Sequence, residues 1–210
     1  GGMIEYLPGF LAAYAILMVA ASSPGPAVAM LLGISATSGR SAALIASAGI
    51  ATGSVLLNIG TLAGVGYVLT QAAWAMLVLK LIGAAYLAWL SYGAFRKAVN
   101  PPKIEAMEIA PRSAANAYVA GFLLQVTNPK AIVFWLAIAA VGATQGGGAG
   151  VIALFVAGAF LISFGCHGAW ALILSSSPAR RVYASGRRWV AAGLGALFAT
   201  FAIRLATERV

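Results

Sequence analysis

Residues 6 to 39 contain no charged side chain, and neither do residues 41 to 79. Uncharged apolar runs of this length dictate the solvent. A helix rises about 1.5 Å per residue, so about 20 residues cross a hydrocarbon core of roughly 30 Å. Both runs exceed that length. Composition agrees: 62% of the 210 residues are hydrophobic and 8% are charged, where a soluble domain carries about 25% charged residues. Mean hydropathy is +0.95. Such a chain cannot cover a water-facing surface. Helices satisfy their own backbone groups in lipid, so the predicted class is an all-α polytopic membrane protein.

Charges and turn residues divide the chain into six predicted spans, near 6–35, 41–69, 72–95, 114–141, 151–174 and 189–206. Only Thr70-Gln71 separates the second from the third, but 41–95 is too long for one span. The polar stretch AVNPPKIEAMEIAPR, residues 98–112, reads as a linker between two three-helix halves, 3–97 and 113–210. GATQGGGAG marks a turn at 142–150, and SSSPARRVYASGRR reads as a loop before the last span. Together residues 3–210 make one membrane domain. Gly1-Gly2 ahead of Met3 reads as an added leader outside the fold. Residues 3–23 end in small residues like a secretory signal, but Glu5 is their only charge and the basic n-region is missing.

The net charge is +9, from 13 basic and 4 acidic residues. In a soluble protein that balance would suggest nucleic acid. Here the basic residues sit in alternate short loops: Arg40, then Arg96, Lys97, Lys103 and Arg112, then Arg180, Arg181, Arg187 and Arg188. The loops between hold no Lys or Arg. The positive-inside rule then places both termini outside and no nucleic-acid partner is expected. Arg204 and Arg209 are the exceptions on the outer side.

Two of the spans carry residues that break helices. The first holds Ser23-Pro24-Gly25-Pro26 and the fourth holds Asn128-Pro129. Proline removes an amide donor and clashes with an earlier carbonyl. In lipid the freed groups need protein or water beside them. A plain kink is the bland reading; a half-helix whose amides and positive dipole end face a carboxylate is the functional one. Pro26 and Pro129 hold matching places in their spans, and the next span of each half repeats one spacing: Gly49, Ser54 and Asn58 in the first, Gly158, Ser163 and His167 in the second, five residues and then four. Three helices per half reverses the second half in the membrane. The expected architecture is therefore two inverted three-helix repeats, with helices 1 and 4 broken or kinked and a site near the midplane.

Along the second span, Gly49, Gly53, Gly60 and Gly64 form one stripe within about 60°, suited to close helix packing. Ser47, Ser54, Asn58 and Thr61 form the opposite face. These either bond back to carbonyls one turn earlier or line a wet cavity. Three ionisable groups lie inside the predicted spans: Lys80, Lys130 and His167. Each is a functional candidate by position. Lys130 follows the second break and suits a substrate carboxylate. Lys80 suits snorkelling to the outer interface. His167, with an ordinary pKa near neutrality, suits proton coupling or a neutral hydrogen bond. No Asp or Glu lies in a span, so neither a cation cage nor a carboxylate relay is available.

Other classes fit less well. Cys166 is the only cysteine, which excludes an internal disulfide. Cys166 and His167 are adjacent and point about 100° apart on a helix, so a nucleophile–base pair is not expected. One histidine cannot hold a divalent metal. No cofactor and no metal are predicted. A channel or a lipid translocator also uses broken helices and stays open as an alternative.

SPGPAVAMLL followed by SGRSAAL and GIATG resembles the N-terminal signature of the lysine-exporter/homoserine–threonine-exporter (LysE/RhtB) family. LKLIGAAYLAWLSYGAFR resembles its third helix and GFLLQVTNPKAIVFW its fourth. The motifs occur in the family's order across nearly the whole chain. The resemblance implies a bacterial inner-membrane exporter of amino acids or close derivatives, driven by the proton motive force and homodimeric. It implies that Pro24, Gly25, Pro26, Asn128 and Pro129 shape the path. Members resembling lysine and arginine exporters carry aspartate at the positions of Ser54 and Phe134. Their absence here implies a neutral, homoserine- or threonine-like substrate. On this reading Ser23, Ser54 and Asn58 join the breaks and Lys130 in binding.

Overall fold

The computed structural model describes residues 2–208, so Arg209 lies outside the described residues. A short 3-10 turn, Met3–Tyr6, leads into α1 (Leu7–Ser22). It is followed by α2 (Pro26–Gln71), α3 (Ala75–Val99), α4 (Ala114–Thr127), α5 (Pro129–Ala140), α6 (Ala149–Leu174) and α7 (Ser177–Thr207). Five helices are long and apolar enough to cross a membrane, and six spans result when the bent pair α4–α5 is counted as one. The chain is a multi-pass helical membrane protein.

Three boundaries differ from the sequence reading, each for a local reason. The expected loop around SGRS shrinks to one residue. Gly39 takes φ 88° and divides α2 into segments 26–38 and 40–71. Only glycine enters that region without a Cβ penalty, so one residue suffices for the turn. The last helix starts at Ser177 rather than near 189. Ser176 caps it by accepting from the Ala179 N–H, and a proline occupies its first turn. Arg180 closes the preceding helix end, its Nη1 donating to Leu174 O at 2.7 Å. The expected loop is thus a basic helical extension. Finally, α2 runs through Thr70-Gln71, and residues 72–74 make the turn instead.

The helix packing leaves two apolar clusters. One joins Phe10, Leu17, Leu87, Phe134, Ile138, Phe155 and Phe198 from α1, α3, α5, α6 and α7. The other joins Val28, Leu31, Ile34, Ala46, Ile50, Trp170 and Leu174 from α2 and α6. Large apolar side chains outside them, such as Leu11, Trp89 and Leu161, are exposed and suit lipid contact. The glycine stripe of α2 does its packing in one half only. A Cβ on Gly49 would strike Tyr118 O of α4, and one on Gly121 of α4 would strike Ala46 O of α2. Gly53 meets Gln125 and Phe122, whereas Gly60 and Gly64 have nothing nearby.

The linker is ordered against the bundle. Ile104, Met107 and Ile109 join the second cluster. The Met107 N–H donates to Ala29 O at 3.0 Å, and Thr37 Oγ1 donates to Ile109 O at 2.8 Å. The stretch between the two halves therefore lies along segment 26–38.

Candidate functional site

Both proline motifs interrupt their helices. In the first, Ser23 has φ −76° and ψ 126°, and Gly25 is extended. The freed groups find partners. Trp170 Nε1 donates to Ser22 O at 3.3 Å. The first intrahelical bond of α2 is Ala29 N–H to Gly25 O at 3.0 Å, which leaves the Ala27 and Val28 amides ahead of it. Gly25 supplies no capping side chain. In the second, α4 and α5 meet at 63°. Here Asn128 caps its own half-helix, its Oδ1 accepting from the Lys130 N–H at 3.1 Å. The two breaks are thus unlike: one half-helix end is closed by a side chain and the other is open.

Lys130 reaches from the second break to the first. Its Nζ donates to Ser23 Oγ at 3.4 Å and to Pro24 O at 3.5 Å, and lies 5.9 Å from the centre of the Phe134 ring. Gly25 admits it, since a Cβ there would stand 2.9 Å from Nζ. Every partner of this ammonium is neutral. Among the described residues no group of His, Cys, Asp and Glu could hold a metal ion.

Beside it runs a buried polar chain. Gln125 Nε2 donates to Ser54 Oγ at 2.9 Å. Ser54 Oγ and Ser163 Oγ are 3.0 Å apart, and Ser163 Oγ is 3.3 Å from His167 Nδ1. His167 Nδ1 also lies 2.8 Å from Ser163 O. A carbonyl only accepts, so Nδ1 carries the proton and Nε2 is left as an acceptor. Ser54 and Ser163, matched positions of the two sequence halves, thus touch. Gln125 was not singled out from the sequence. Its signal is a lone long amide in the apolar run GFLLQVT, three residues before Asn128.

These groups line a cavity of about 50 Å³ with Ser23, Gly25, Pro26, Asn128 and Lys130, its apolar wall made by Leu17, Phe134, Trp135 and Ile138. A second opening, of about 670 Å³, shares Ser23, Gly25 and Lys130 with it. That opening is walled by Trp89, Tyr92, Arg96, Lys97, Lys103, Glu105 and Arg187, with Pro24 also on its surface. Lys130 stands where the two meet.

Other predicted residues lie apart from this group. Pro129 starts α5 at an exposed position and lines neither space. Asn58 is buried one turn beyond Ser54 with Nδ2 unpartnered, and it lines neither space. Ser47 and Thr61 bond back to Ala43 O and Leu57 O, the bland outcome for hydroxyls in a helix. Lys80 is buried rather than snorkelled, with Nζ 3.7 Å from Glu208 Oε2. Its partner sits just past α7, a contact invisible in local sequence.

Comparison with known proteins gives a consistent result. The family described as LysE type translocator matches residues 18–209. The chain is 27% identical to a threonine efflux protein of Escherichia coli K12, over 95% of this chain and 98% of that one. It is 28% identical to a leucine efflux protein of Klebsiella pneumoniae, over 98% of this chain and 96% of that one. No solved structure matches.

Proposed function

The chain belongs to the LysE type translocator family, and from that membership we propose that it is a secondary transporter exporting amino acids or close derivatives, neutral ones by preference. The observation that carries the reading is the neutral setting of Lys130. A lone ammonium stands at two helix breaks beside hydroxyls, an amide and an imidazole, with no carboxylate. A substrate carboxylate satisfies that ammonium and the open Ala27 and Val28 amides. A cationic side chain finds no counter-charge in the small cavity, where burying it unpaired costs several kcal/mol by order of magnitude, and on the wider opening Glu105 is outnumbered by Arg96, Lys97, Lys103 and Arg187. The relatives named for threonine and leucine efflux support the same substrate class.

The positive-inside rule puts the basic loops, and so the 670 Å³ opening, toward the cytoplasm. Both termini then face the outside of a bacterial inner membrane. Substrate enters from the basic side, and in this reading Leu17, Phe134, Trp135 and Ile138, the apolar lining of the small cavity, form the outer gate. The meeting of Ser54 with Ser163 supports an inverted repeat, because matched residues of two repeats touch on their common axis. So does the packing: α2 against α6 and α3 against α7 pair matched helices. Rocking of the halves about this axis gives alternating access. His167, with Nε2 free, is the proton carrier of the cycle. Asn58, whose buried Nδ2 has no partner, becomes a binding donor when the outer path opens.

The test is efflux from proteoliposomes preloaded with labelled threonine, homoserine, leucine, lysine or arginine under an imposed proton gradient. We expect gradient-dependent efflux of at least one neutral amino acid and retention of lysine and arginine. Efflux of the basic amino acids would overturn the charge argument. Absence of any gradient-dependent amino-acid efflux would overturn the transport reading itself.

A further inference from the structure

We propose that Gln125 is the residue that reads the substrate's ammonium group, through its side-chain carbonyl. The proposal rests on the amino-acid reading above and assigns the pole of the site that Lys130 cannot serve. A zwitterion brings one anionic and one cationic end into the same cavity, and each needs a partner once water is removed. Lys130 and the open amides of α2 serve the anionic end. The cationic end needs acceptors, and the site holds no carboxylate.

Gln125 is buried, 6% exposed, so its amide must be matched by protein or by ligand. Its Nε2 is committed to Ser54 Oγ at 2.9 Å. Ser54 Oγ in turn meets Ser163 Oγ at 3.0 Å. Gln125 Oε1 receives no hydrogen bond from the protein. Yet among the described residues the buried side-chain polar atoms without a partner are Ser35 Oγ and Asn58 Nδ2. Oε1 is therefore open to the cavity that Gln125 lines. The same reasoning opens His167 Nε2 to that cavity. The two lone-pair acceptors come from α4 and α6 of the second half, joined through Ser54 of the first half and Ser163.

The size agrees. A cavity of about 50 Å³ has room for one or two waters at a share of about 30 Å³ each, so it takes a small polar head group and no more. The head group would displace those waters, with its side chain left toward the wider opening. Neutral acceptors suit an ammonium whose charge the substrate's own carboxylate balances. A carboxylate at position 125 would instead favour substrates carrying a second positive charge.

Binding to purified protein tests this with threonine and 3-hydroxybutyrate, which is threonine without its ammonium group. Removing a hydrogen bond to a charged group costs about tenfold or more in affinity. Gln125→Met should weaken threonine by that factor and leave 3-hydroxybutyrate unchanged, so the preference between the two collapses. Gln125→Glu keeps the acceptor and the size. It should retain threonine and gain binding of lysine, which shows that the folded site survives substitution. A preference unchanged by Gln125→Met would overturn the assignment. So would equal weakening of both probes, which would mean that the amide presents its N–H to the carboxylate. Loss of threonine binding in Gln125→Glu would overturn it as well. Wild-type protein that binds neither threonine nor leucine would instead overturn the amino-acid reading beneath it.

Discussion

His167 is the residue whose chemistry most depends on its exact hydrogen bonds. Because Nδ1 donates to Ser163 O at 2.8 Å, proton uptake must occur at Nε2, on the cavity side. A proton gained there is placed beside the substrate and near Lys130, so it changes the charge the substrate meets. His167→Gln retains a group able to donate to Ser163 O but cannot gain a proton. The dependence of efflux rate on pH, measured over the range in which the protein stays folded, should then flatten relative to wild type. A slope equal to wild type across that range would remove His167 from coupling. The candidates Lys130, Ser54 and His167 were legible as residue types because ionisable and hydroxyl groups stand out in apolar spans. The fate of each was not. Whether a hydroxyl bonds back to its own helix, as Ser47 does, or across to another, as Ser54 does, depends on the neighbouring helix. Gln125 was missed for the same reason, since only the partner Ser54 gives its amide a direction.

At the level of elements, small residues decide how closely α2 and α4 approach. Gly49 and Gly121 each leave room only for a backbone carbonyl of the other helix. A carbonyl cannot turn aside as a side chain can, so Gly121→Leu must push the helices apart. Overpacking of this kind costs about 1–3 kcal/mol or more. The expected outcome is a clearly lower melting temperature in detergent. Gly60→Leu, at a position with nothing nearby, should leave it unchanged. Equal losses from both substitutions would show that the close approach of α2 and α4 does not set the effect. The spacing of the stripe was readable, but which half of it meets another helix was not. Helix ends followed the same division. The breaks at Pro24-Gly25-Pro26 and Asn128-Pro129 announced themselves. The start of α7 did not, because a basic, proline-containing stretch reads equally as a loop or as a capped first turn.

For the whole molecule, the two spaces joined at Lys130 describe one state of a cycle. The wide opening lies among the basic residues, and the small cavity beside it has an apolar wall of Leu17, Phe134, Trp135 and Ile138. Cysteine accessibility reports that state, and Cys166 is the only native cysteine to remove. In a Cys166→Ser background, Ala94→Cys on the wide opening should react quickly with a membrane-impermeant thiol reagent added on the basic-loop side. Ile138→Cys on the apolar wall should react slowly from either side. Fast reaction of both would mean that the path is open throughout, as in a channel.

Lys130 also makes the protein an electrical device. Its ammonium has no carboxylate partner in the site, so the empty transporter carries an uncancelled positive charge at the point where access switches. When access switches, that charge moves from the potential of one bath to that of the other. Moving one elementary charge through 100 mV is worth about 2.3 kcal/mol. A membrane negative on the basic-loop side therefore draws the empty protein back to the state described here, ready to load. A zwitterion does not alter that balance, whereas a bound anion cancels it. In the proposed export cycle, voltage would reset the empty protein after each delivery. Labelling of Ala94→Cys should accordingly quicken when the basic-loop side is made negative and slow when the potential is reversed. Lys130→Met should abolish the difference, and a difference that survived it would place the sensing charge elsewhere.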